Sequence, residues 1–183
     1  MMFFYGFLSL VILQRLVELT IAKRNEKRLK EQGGVEFGQT QYYFIVLMHM
    51  MFFVFLIYEV IYFNRGISQI WPILLTFFLI AQAGRIWVMT SLGRHWNTKI
   101  IVLPKASPIK RGPYRYLKHP NYVVVSIELL VIPLLFNAYF TALLFTLLNI
   151  GILSIRIPAE ERALARLTEY DSVFIQKAPK NVK

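Results

Sequence analysis

The chain has 183 residues, 56% of them hydrophobic, and its formal net charge at pH 7 is +11. This length suits one domain, and the absence of cysteine excludes disulfides, thiolate chemistry and cysteine-ligated metals. The lysines and arginines lie between long apolar runs, which is typical of a membrane protein with basic cytoplasmic loops and not of a nucleic-acid-binding face. We therefore expect contact with anionic membrane lipids and no nucleic-acid partner.

Apolar runs long enough to cross a bilayer, about 20 residues, occur in four regions. They are residues 3–22, 42–63, 70–92 and 121–155. The first has no basic start and no small-residue cleavage site, so it is interpreted as a retained helix and not a signal peptide. The last is too long for one crossing and breaks at Phe136, Asn137 and Ala138, which predicts two short helices in a tight hairpin. The fold predicted is an all-α polytopic membrane protein with about five transmembrane helices, forming one domain over residues 1–183.

Basic residues concentrate in three connecting segments. These are the loop at 23–30, the segment between the third and fourth spans (residues 94–118), and the tail after residue 155, whereas Arg65 lies on the opposite side. Five crossings place all three basic segments on one face, which predicts an N-terminus outside and a C-terminus in the cytoplasm. Glycines and prolines between Gly93 and Pro120 argue against a continuous helix there. In the tail, Pro158 with two following glutamates predicts the start of a separate amphipathic cytosolic helix that runs to about Tyr170.

Ionisable residues inside the spans are costly unless they are paired or functional. Arg15 and Glu18 are one helical turn apart, which predicts a mutual ion pair. His49 either hydrogen-bonds a neighbouring helix or binds a substrate, and Glu59 near the outer interface is expected to be solvated. Arg85 cannot lose its charge, so it must find an acid, a carbonyl or a ligand. Glu128 is the remaining acidic residue inside the predicted spans.

Two polar clusters flank the predicted hairpin on its cytoplasmic side. Residues 111–122 combine cations, a histidine and three tyrosines around two prolines, and Arg156 precedes Glu160 and Glu161. The simplest explanation of the first cluster is that it anchors the chain at the membrane interface. The simplest explanation of the second cluster is helix capping together with a surface ion pair. The two clusters could also meet over one pocket, in which rings stack on a base and carboxylates and cations bind the polar ends of a cofactor. Gly-rich dinucleotide and phosphate-loop motifs are absent, and no metal site is expected.

The order of these motifs resembles the isoprenylcysteine carboxyl methyltransferase family. The resemblance covers about residues 85–170 and rests on Lys118, His119, Pro120, Asn121 and Tyr122, then a short hydrophobic hairpin, then Arg156, Glu160 and Glu161. Gly93, Trp96, Asn97 and Tyr114 also match the family's pattern. The first eighty residues are similar to bacterial alkylpyrone O-methyltransferases encoded beside polyketide synthases, through Gln14, Arg15, Glu18, residues 23–26, Tyr42 and His49.

The resemblance implies an enzyme of a bacterial cell membrane that binds S-adenosylmethionine at the cytosolic face, with residues 85–175 as the methyltransferase core and residues 1–84 as N-terminal spans. The cofactor-binding residues it implies are Tyr114, Lys118, His119, Tyr122, Glu160 and Glu161. The catalytic residues it implies are Arg85, Asn97 and Arg156. The lipophilic acceptor would enter from the bilayer, and O-methylation of an alkylpyrone-like or other polyketide lipid is expected.

Two departures from the family's pattern bear on the acceptor. Lys118 stands where arginine is usual, which keeps the charge but loses the planar fork, and Thr98 stands where prenylcysteine enzymes carry histidine. Carboxyl methylation of a prenylcysteine-type substrate therefore remains an alternative. An NADPH-dependent membrane reductase and a non-catalytic lipid-binding protein are the others. The sequence indicates no oligomeric state.

Overall fold

The computed structural model describes residues 1–168, and within that range the chain forms five α-helices. They are α1 (Met2–Glu31), α2 (Gln39–Tyr62), α3 (Trp71–Leu92), α4 (Pro120–Leu135) and α5 (Tyr139–Leu167). Four of them, α1, α2, α3 and α5, are long and apolar enough to cross a membrane. The 16 residues of α4 span about 24 Å, less than the roughly 30 Å of a hydrocarbon core. The predicted all-α polytopic membrane fold is confirmed.

Apolar side chains cover both the inside and the outside of this bundle. Aromatic rings dominate the interior, where Phe4 meets Phe136 edge-on at 4.9 Å and Phe52 meets Phe145 at 5.5 Å. The outer surface carries many exposed large hydrophobic side chains, among them Leu13, Leu47, Leu79 and Leu143. A water-soluble protein rarely exposes so much contiguous apolar surface, so these faces are suited to lipid.

The turn predicted to divide the last apolar region is confirmed. The helix α4 ends at Leu135 and α5 begins at Tyr139, and between them Asn137 adopts a φ of 55°. The Asn137 side chain donates to the carbonyl oxygen of Gly66 at 3.1 Å, and the amide of Ser68 donates to that of Leu135 at 3.0 Å. These bonds hold the α4–α5 hairpin against the connection between α2 and α3.

Glu59 has a structural partner at this same end of the bundle, and its expected solvation is wrong. Its side chain is buried and accepts hydrogen bonds from the amides of Phe140 and Thr141, at 3.1 and 2.8 Å, and from the Thr141 hydroxyl at 2.7 Å. Free amides and a positive dipole end stand at the start of every helix, and a carboxylate satisfies both. Glu59 therefore caps α5 from the neighbouring helix α2.

The connections at the other end of the bundle differ from the prediction. Residues 23–30 do not form a loop, because α1 continues to Glu31. A short antiparallel ribbon, which the sequence did not predict, pairs β1 (Val35–Phe37) with β2 (Ile100–Val102) in the register Val35 to Val102. Two short 3-10 turns, Gly93–His95 and Gly112–Arg115, account for the expected lack of a continuous helix between α3 and α4.

The separate helix predicted to begin at Pro158 is also wrong. Pro158 lies inside α5, which continues without a break to Leu167. A proline in a helix loses the bond to the carbonyl four residues earlier, here that of Ser154. Ser154 and Pro158 both lie on the exposed side of the helix. The predicted continuation to Tyr170, and the predicted domain end at residue 175, lie outside the described residues.

Candidate active site

A cavity of about 210 Å³ lies at the end of the bundle opposite the Asn137 turn. Its walls are the start of α4, the end of α5, the segment from His95 to Ile109, and the short Gly112–Arg115 turn. Seven of the nine residues predicted to form a site line it. They are Asn97, Tyr114, Lys118, His119, Tyr122, Arg156 and Glu160.

The start of α4 and the end of α5 present their polar side chains by helical spacing. His119 occupies the N-cap of α4, whose first residue is Pro120, and the rings of His119 and Tyr122 stack at 5.4 Å. Residues three apart lie on the same face of a helix, as do residues four apart, which places Arg156 and Glu160 together on α5. The two polar faces meet because α4 and α5 form the hairpin described above.

The two predicted clusters do converge, through a histidine between two carboxylates. His119 Nδ1 lies 3.5 Å from a Glu160 oxygen, and its Nε2 lies 3.2 Å from a Glu161 oxygen. Burial alone would lower the pKa of His119, but hydrogen bonds and charges from Glu160 and Glu161 outweigh it and raise that pKa above its ordinary value. Lys118 lies 3.4 Å from the same Glu161 oxygen. Glu161 thus contacts the site from its edge without lining the cavity.

Arg156 is a buried cation whose hydrogen-bonding capacity is not filled. Its Nε donates to the Tyr122 hydroxyl at 2.9 Å, that hydroxyl donates to Glu160, and Arg156 Nη2 donates to the carbonyl oxygen of Thr98 at 2.6 Å. Its Nη1 is buried and has no partner among the described residues. A buried donor without an acceptor costs free energy, so Arg156 Nη1 is suited to an anionic or carbonyl oxygen of a ligand.

Two further residues, which were not predicted as site residues, also have buried polar atoms without a hydrogen-bond partner among the described residues. Trp96 and Asn121 line the cavity, and the buried atoms Trp96 Nε1 and Asn121 Oδ1 have no hydrogen-bond partner within the described part of the chain. One is a donor and the other an acceptor. Both stand inside the motifs of the family resemblance, so their neighbours in the sequence were the available signal. Burial also raises the pKa of Tyr114, as does the nearby charge of Glu160, so its phenol stays protonated.

Asn97 lines the cavity but has structural partners on both sides of its amide. Its Nδ2 donates to the carbonyl oxygen of Ala22 at 3.2 Å, and its Oδ1 accepts from the amide of Lys99 at 2.9 Å. The first bond ties the cavity wall to α1, and the second stabilises the local turn. These contacts give Asn97 a role in shaping the wall.

Arg85 lies elsewhere, in a buried cluster that joins α1, α3 and α4. Its Nη1 donates to Glu18 at 2.9 Å, its Nε donates to Glu128 at 3.2 Å, and its Nη2 also pairs with Glu128. Arg15 pairs with the same two carboxylates, which confirms the predicted Arg15 and Glu18 pair and extends it. Gln82 donates to Glu128 at 2.7 Å. Arg85 therefore finds two acids, as the sequence required of it, and it does not line the cavity.

His49 packs beside this cluster. Its Nδ1 lies 2.8 Å from the carbonyl oxygen of Ile45, one turn earlier on α2. His49, Arg15 and Glu128 line a void of about 10 Å³. Within residues 1–168 no group of three or more histidine, cysteine, aspartate or glutamate side chains could hold a metal ion.

The chain has relatives in two bacteria. It is 45% identical over 161 residues to the protein YpbQ of Bacillus subtilis, covering 88% of this chain and 96% of that one. It is 30% identical over 154 residues to an uncharacterized protein of Haemophilus influenzae, covering 84% of this chain and 90% of that one. No solved structure matches it.

One family model also matches, over residues 73–166. That segment holds α4, most of α3 and α5, and nearly all of the cavity wall. The chain therefore belongs to the isoprenylcysteine carboxyl methyltransferase (ICMT) family, which implies methyltransferase activity in a membrane and a cofactor that, in this family, is generally S-adenosylmethionine.

Proposed function

We propose that this protein transfers a methyl group from S-adenosylmethionine to an oxygen of a lipophilic acceptor at the cytoplasmic face of the bacterial cell membrane. The observation that carries the proposal is the free Nη1 of Arg156, a buried cationic donor on a residue that lines the cavity together with His119, Tyr122 and Glu160. A buried guanidinium nitrogen without an acceptor costs free energy, which an oxygen of a ligand bound in the cavity would offset.

The donor set of the cavity fits this cofactor. S-adenosylmethionine supplies an electrophilic methyl on a sulfonium and carries an ammonium, a carboxylate, a ribose and an adenine. Glu160 and Glu161 attract its cationic groups, and the stacked rings of His119 and Tyr122 offer an aromatic surface to its base. Tyr114 and Lys118 complete the polar lining. Catalysis then requires little more than alignment of the acceptor oxygen and placement of charge.

The rest of the lining is apolar and fits a lipid acceptor. Aliphatic side chains from α1, α3, the ribbon and α5 surround the polar groups, including Leu29, Leu92, Ile101, Val102 and Leu164. Arg156 offers its free Nη1 to the carboxylate of the cofactor or to an acceptor oxygen that carries negative charge. We assign the acceptor to alkylpyrone-like or other polyketide lipids, because the first eighty residues resemble the alkylpyrone O-methyltransferases and Thr98 stands where the prenylcysteine enzymes carry histidine. Carboxyl methylation of a prenylcysteine-type acceptor is the second candidate, favoured by the same free cationic donor.

The proposed orientation places the cavity in the cytoplasm. Exposed cations crowd this end of the bundle, on the extension of α1 and on the connection between α3 and α4. They include Lys23, Arg24, Lys27, Arg28, Arg94, Arg111 and Arg115. Cytoplasmic loops of membrane proteins carry such an excess, and anionic headgroups attract it. The N-terminus would then lie outside.

Calorimetric titration of the purified protein in lipid nanodiscs tests the cofactor. We expect S-adenosylmethionine to bind, and the Arg156→Met variant to lose at least about tenfold in affinity for the donor or in kcat/KM for the acceptor, because one charged hydrogen bond is lost. Arg166→Met, which removes an exposed arginine of the same helix, serves as the matched control. Binding of NADPH without binding of S-adenosylmethionine would replace the proposal with a reductase.

The acceptor is tested by mass spectrometry of lipids from cells with and without the gene. Lipids that gain one methylene only when the gene is present identify the acceptor class, and their fragmentation shows whether the methyl is on an oxygen. Identical lipid profiles, together with no transfer of labelled methyl into a lipid extract, would favour a non-catalytic lipid-binding protein.

A further inference from the structure

Residues outside the family match support one wall of the cavity. We call residues 93–102 the wall segment, which runs from the end of α3 to the end of β2. Trp96, Asn97, Thr98 and Lys99 of this segment line the cavity. Their supports lie on α1, β1 and α2, before residue 43, whereas the family match begins at residue 73.

The first support is a clamp on the turn that leaves α3. Asn25 on α1 donates from its Nδ2 to the carbonyl oxygens of Gly93 and Trp96, at 3.2 and 2.7 Å. Gly93 has a φ of 53°, a conformation that side chains with a Cβ rarely adopt. The bond from Asn97 to Ala22 adds a second tie to the same helix. The cytosolic extension of α1 thus fixes where the wall segment begins.

The second support is an ion-pair quartet around Lys99. Its Nζ lies 2.7 Å from Glu26 on α1 and 3.3 Å from Glu36 on β1. Lys30 pairs with the same two carboxylates at 2.7 and 2.6 Å, so the four charges balance. Lys99 also lies over the ring of Tyr42 on α2, 5.4 Å from its centroid. Three separate elements therefore converge on this one side chain.

The quartet is one residue away from the anchor of Arg156. The carbonyl oxygen of Thr98 accepts from Arg156 Nη2 at 2.6 Å, and the Thr98 hydroxyl lies 3.4 Å from that of Tyr42. A guanidinium is planar, so a bond at Nη2 and a bond at Nε together fix the direction of Nη1. A shift of the Thr98 carbonyl would turn the free donor of Arg156 away from its ligand.

We propose that Lys99 is a positioning residue, which Glu26 and Glu36 hold so that the Thr98 carbonyl fixes the orientation of the Arg156 guanidinium at the cavity. This inference rests on the proposed function only for the identity of the ligand. It assigns to the N-terminal region, beyond its membrane spans, a part in building the methyltransferase site.

A double-mutant cycle tests whether Lys99 acts through Arg156. Displacing a group that aligns a ligand costs between about tenfold and a hundredfold, so we expect that loss from Lys99→Met, in affinity for S-adenosylhomocysteine or in kcat/KM for methyl transfer into lipid extract. Combining Lys99→Met with Arg156→Met should add little to the loss of Arg156→Met alone, because the two residues form one unit. Lys99→Arg should retain most activity, and Lys27→Met, an exposed lysine of α1, should be unchanged. Additive losses, or an unaltered Lys99→Met variant, would overturn the inference.

Hydrogen exchange of the ligand-free protein separates this inference from the proposed function. In Lys99→Met we expect the amides of residues 96–102 to exchange about tenfold faster than in the wild type, with the helices unchanged, because local opening follows the loss of local contacts. Unaltered exchange there would overturn the positioning role even if the wild type binds the methyl donor. A wild type that binds no donor would instead overturn the proposed function and leave the exchange result standing.

Discussion

Two regions of this protein concentrate charge in an apolar bundle, and they differ in what their polar atoms still lack. In the intramembrane cluster, Arg15 and Arg85 face Glu18 and Glu128, and none of these side chains has a buried nitrogen or oxygen without a partner in the described structure. The void beside it is about 10 Å³. At the cavity, about 210 Å³ of space adjoins a buried arginine with a free nitrogen.

The difference shows that buried charge alone does not locate a ligand site. Two cations and two carboxylates that satisfy each other stabilise a particular helix packing, whereas unfilled donors beside open space are suited to a ligand. We therefore expect substitutions in the intramembrane cluster to act mainly on folding. Substitutions at the cavity should act mainly on binding. The predictions below test that division.

Replacing Glu128 by Ala should give the largest effect. The substitution leaves Arg15 and Arg85 with one carboxylate between them in a buried setting, which typically costs about 3–5 kcal/mol in the free energy of unfolding. Denaturant unfolding in detergent micelles measures it. Because Glu128 does not line the cavity, the fraction that remains folded should bind S-adenosylhomocysteine with unchanged affinity.

A second substitution in the same cluster, Arg85→Lys, tests the catalytic role predicted for Arg85. An Arg85→Lys variant that folds normally but transfers no methyl would show that Arg85 acts in the reaction, and the proposed division between the two regions would then be wrong. Equal stability of Glu128→Ala and the wild type would also contradict this division, because it would show that the intramembrane cluster does not stabilise the fold.

Tyr122→Phe should give the next largest effect, on binding. The hydroxyl of Tyr122 joins Arg156 to Glu160, so its removal deprives two charged groups of a partner at once. Hydrogen bonds to charged groups contribute about 1.5–3 kcal/mol, so we expect the affinity for S-adenosylhomocysteine to fall by at least about tenfold. Tyr116→Phe changes a largely exposed tyrosine of the preceding loop and should bind normally. A Tyr122→Phe variant with wild-type affinity would remove the reason to regard the Arg156 and Glu160 chain as part of the site.

The helices and the convergence of the two polar clusters could be predicted because apolar runs and helical spacing are local signals. The span ends differ from prediction by a few residues at α2 and α3, and the break at Asn137 is confirmed. The β1–β2 ribbon was missed, because it pairs two three-residue strands that are far apart in the chain: Val35 pairs with Val102, 67 positions further on. The role of Pro158 was predicted wrongly, because a proline can occupy either the first turn of a helix or an exposed position inside one.

Among the site residues, too, local sequence signals were predictable and long-range contacts were not. His119, Tyr122 and Glu160 belong to motifs and were predicted, whereas the free atoms of Trp96 and Asn121 depend on which partners are absent in three dimensions. No pattern along a chain reports a missing partner. The capping of α5 by Glu59 was out of reach for the same reason, since its partners lie about eighty residues further on.

Glu59→Gln should give a smaller effect, confined to stability. The acceptors of Glu59 are filled by the start of α5, so Glu59 resembles the intramembrane cluster and not the cavity. Loss of a cap and of its favourable charge costs about 1–2 kcal/mol in the free energy of unfolding, which denaturant unfolding detects. Glu31→Gln, at an exposed glutamate, is the matched control and should change little. A loss of ligand affinity in Glu59→Gln without a loss of stability would contradict this assignment.

The smallest effect we predict is a dependence of stability on pH that originates at His119. Its pKa is raised in the folded protein above the ordinary value of about 6.5, because Glu160 and Glu161 outweigh the effect of burial. A group with a raised folded pKa stabilises the fold fully below its unfolded pKa and loses that contribution as the pH rises through the folded value. The wild type should therefore exceed His119→Gln in melting temperature by most near about pH 5.5, and the difference should shrink toward about pH 9. His95→Gln, at an exposed histidine, is the matched control. A difference that grows with pH would mean that the fold favours neutral His119, and the two carboxylates would then have to hold their charge for a ligand and not for the imidazole.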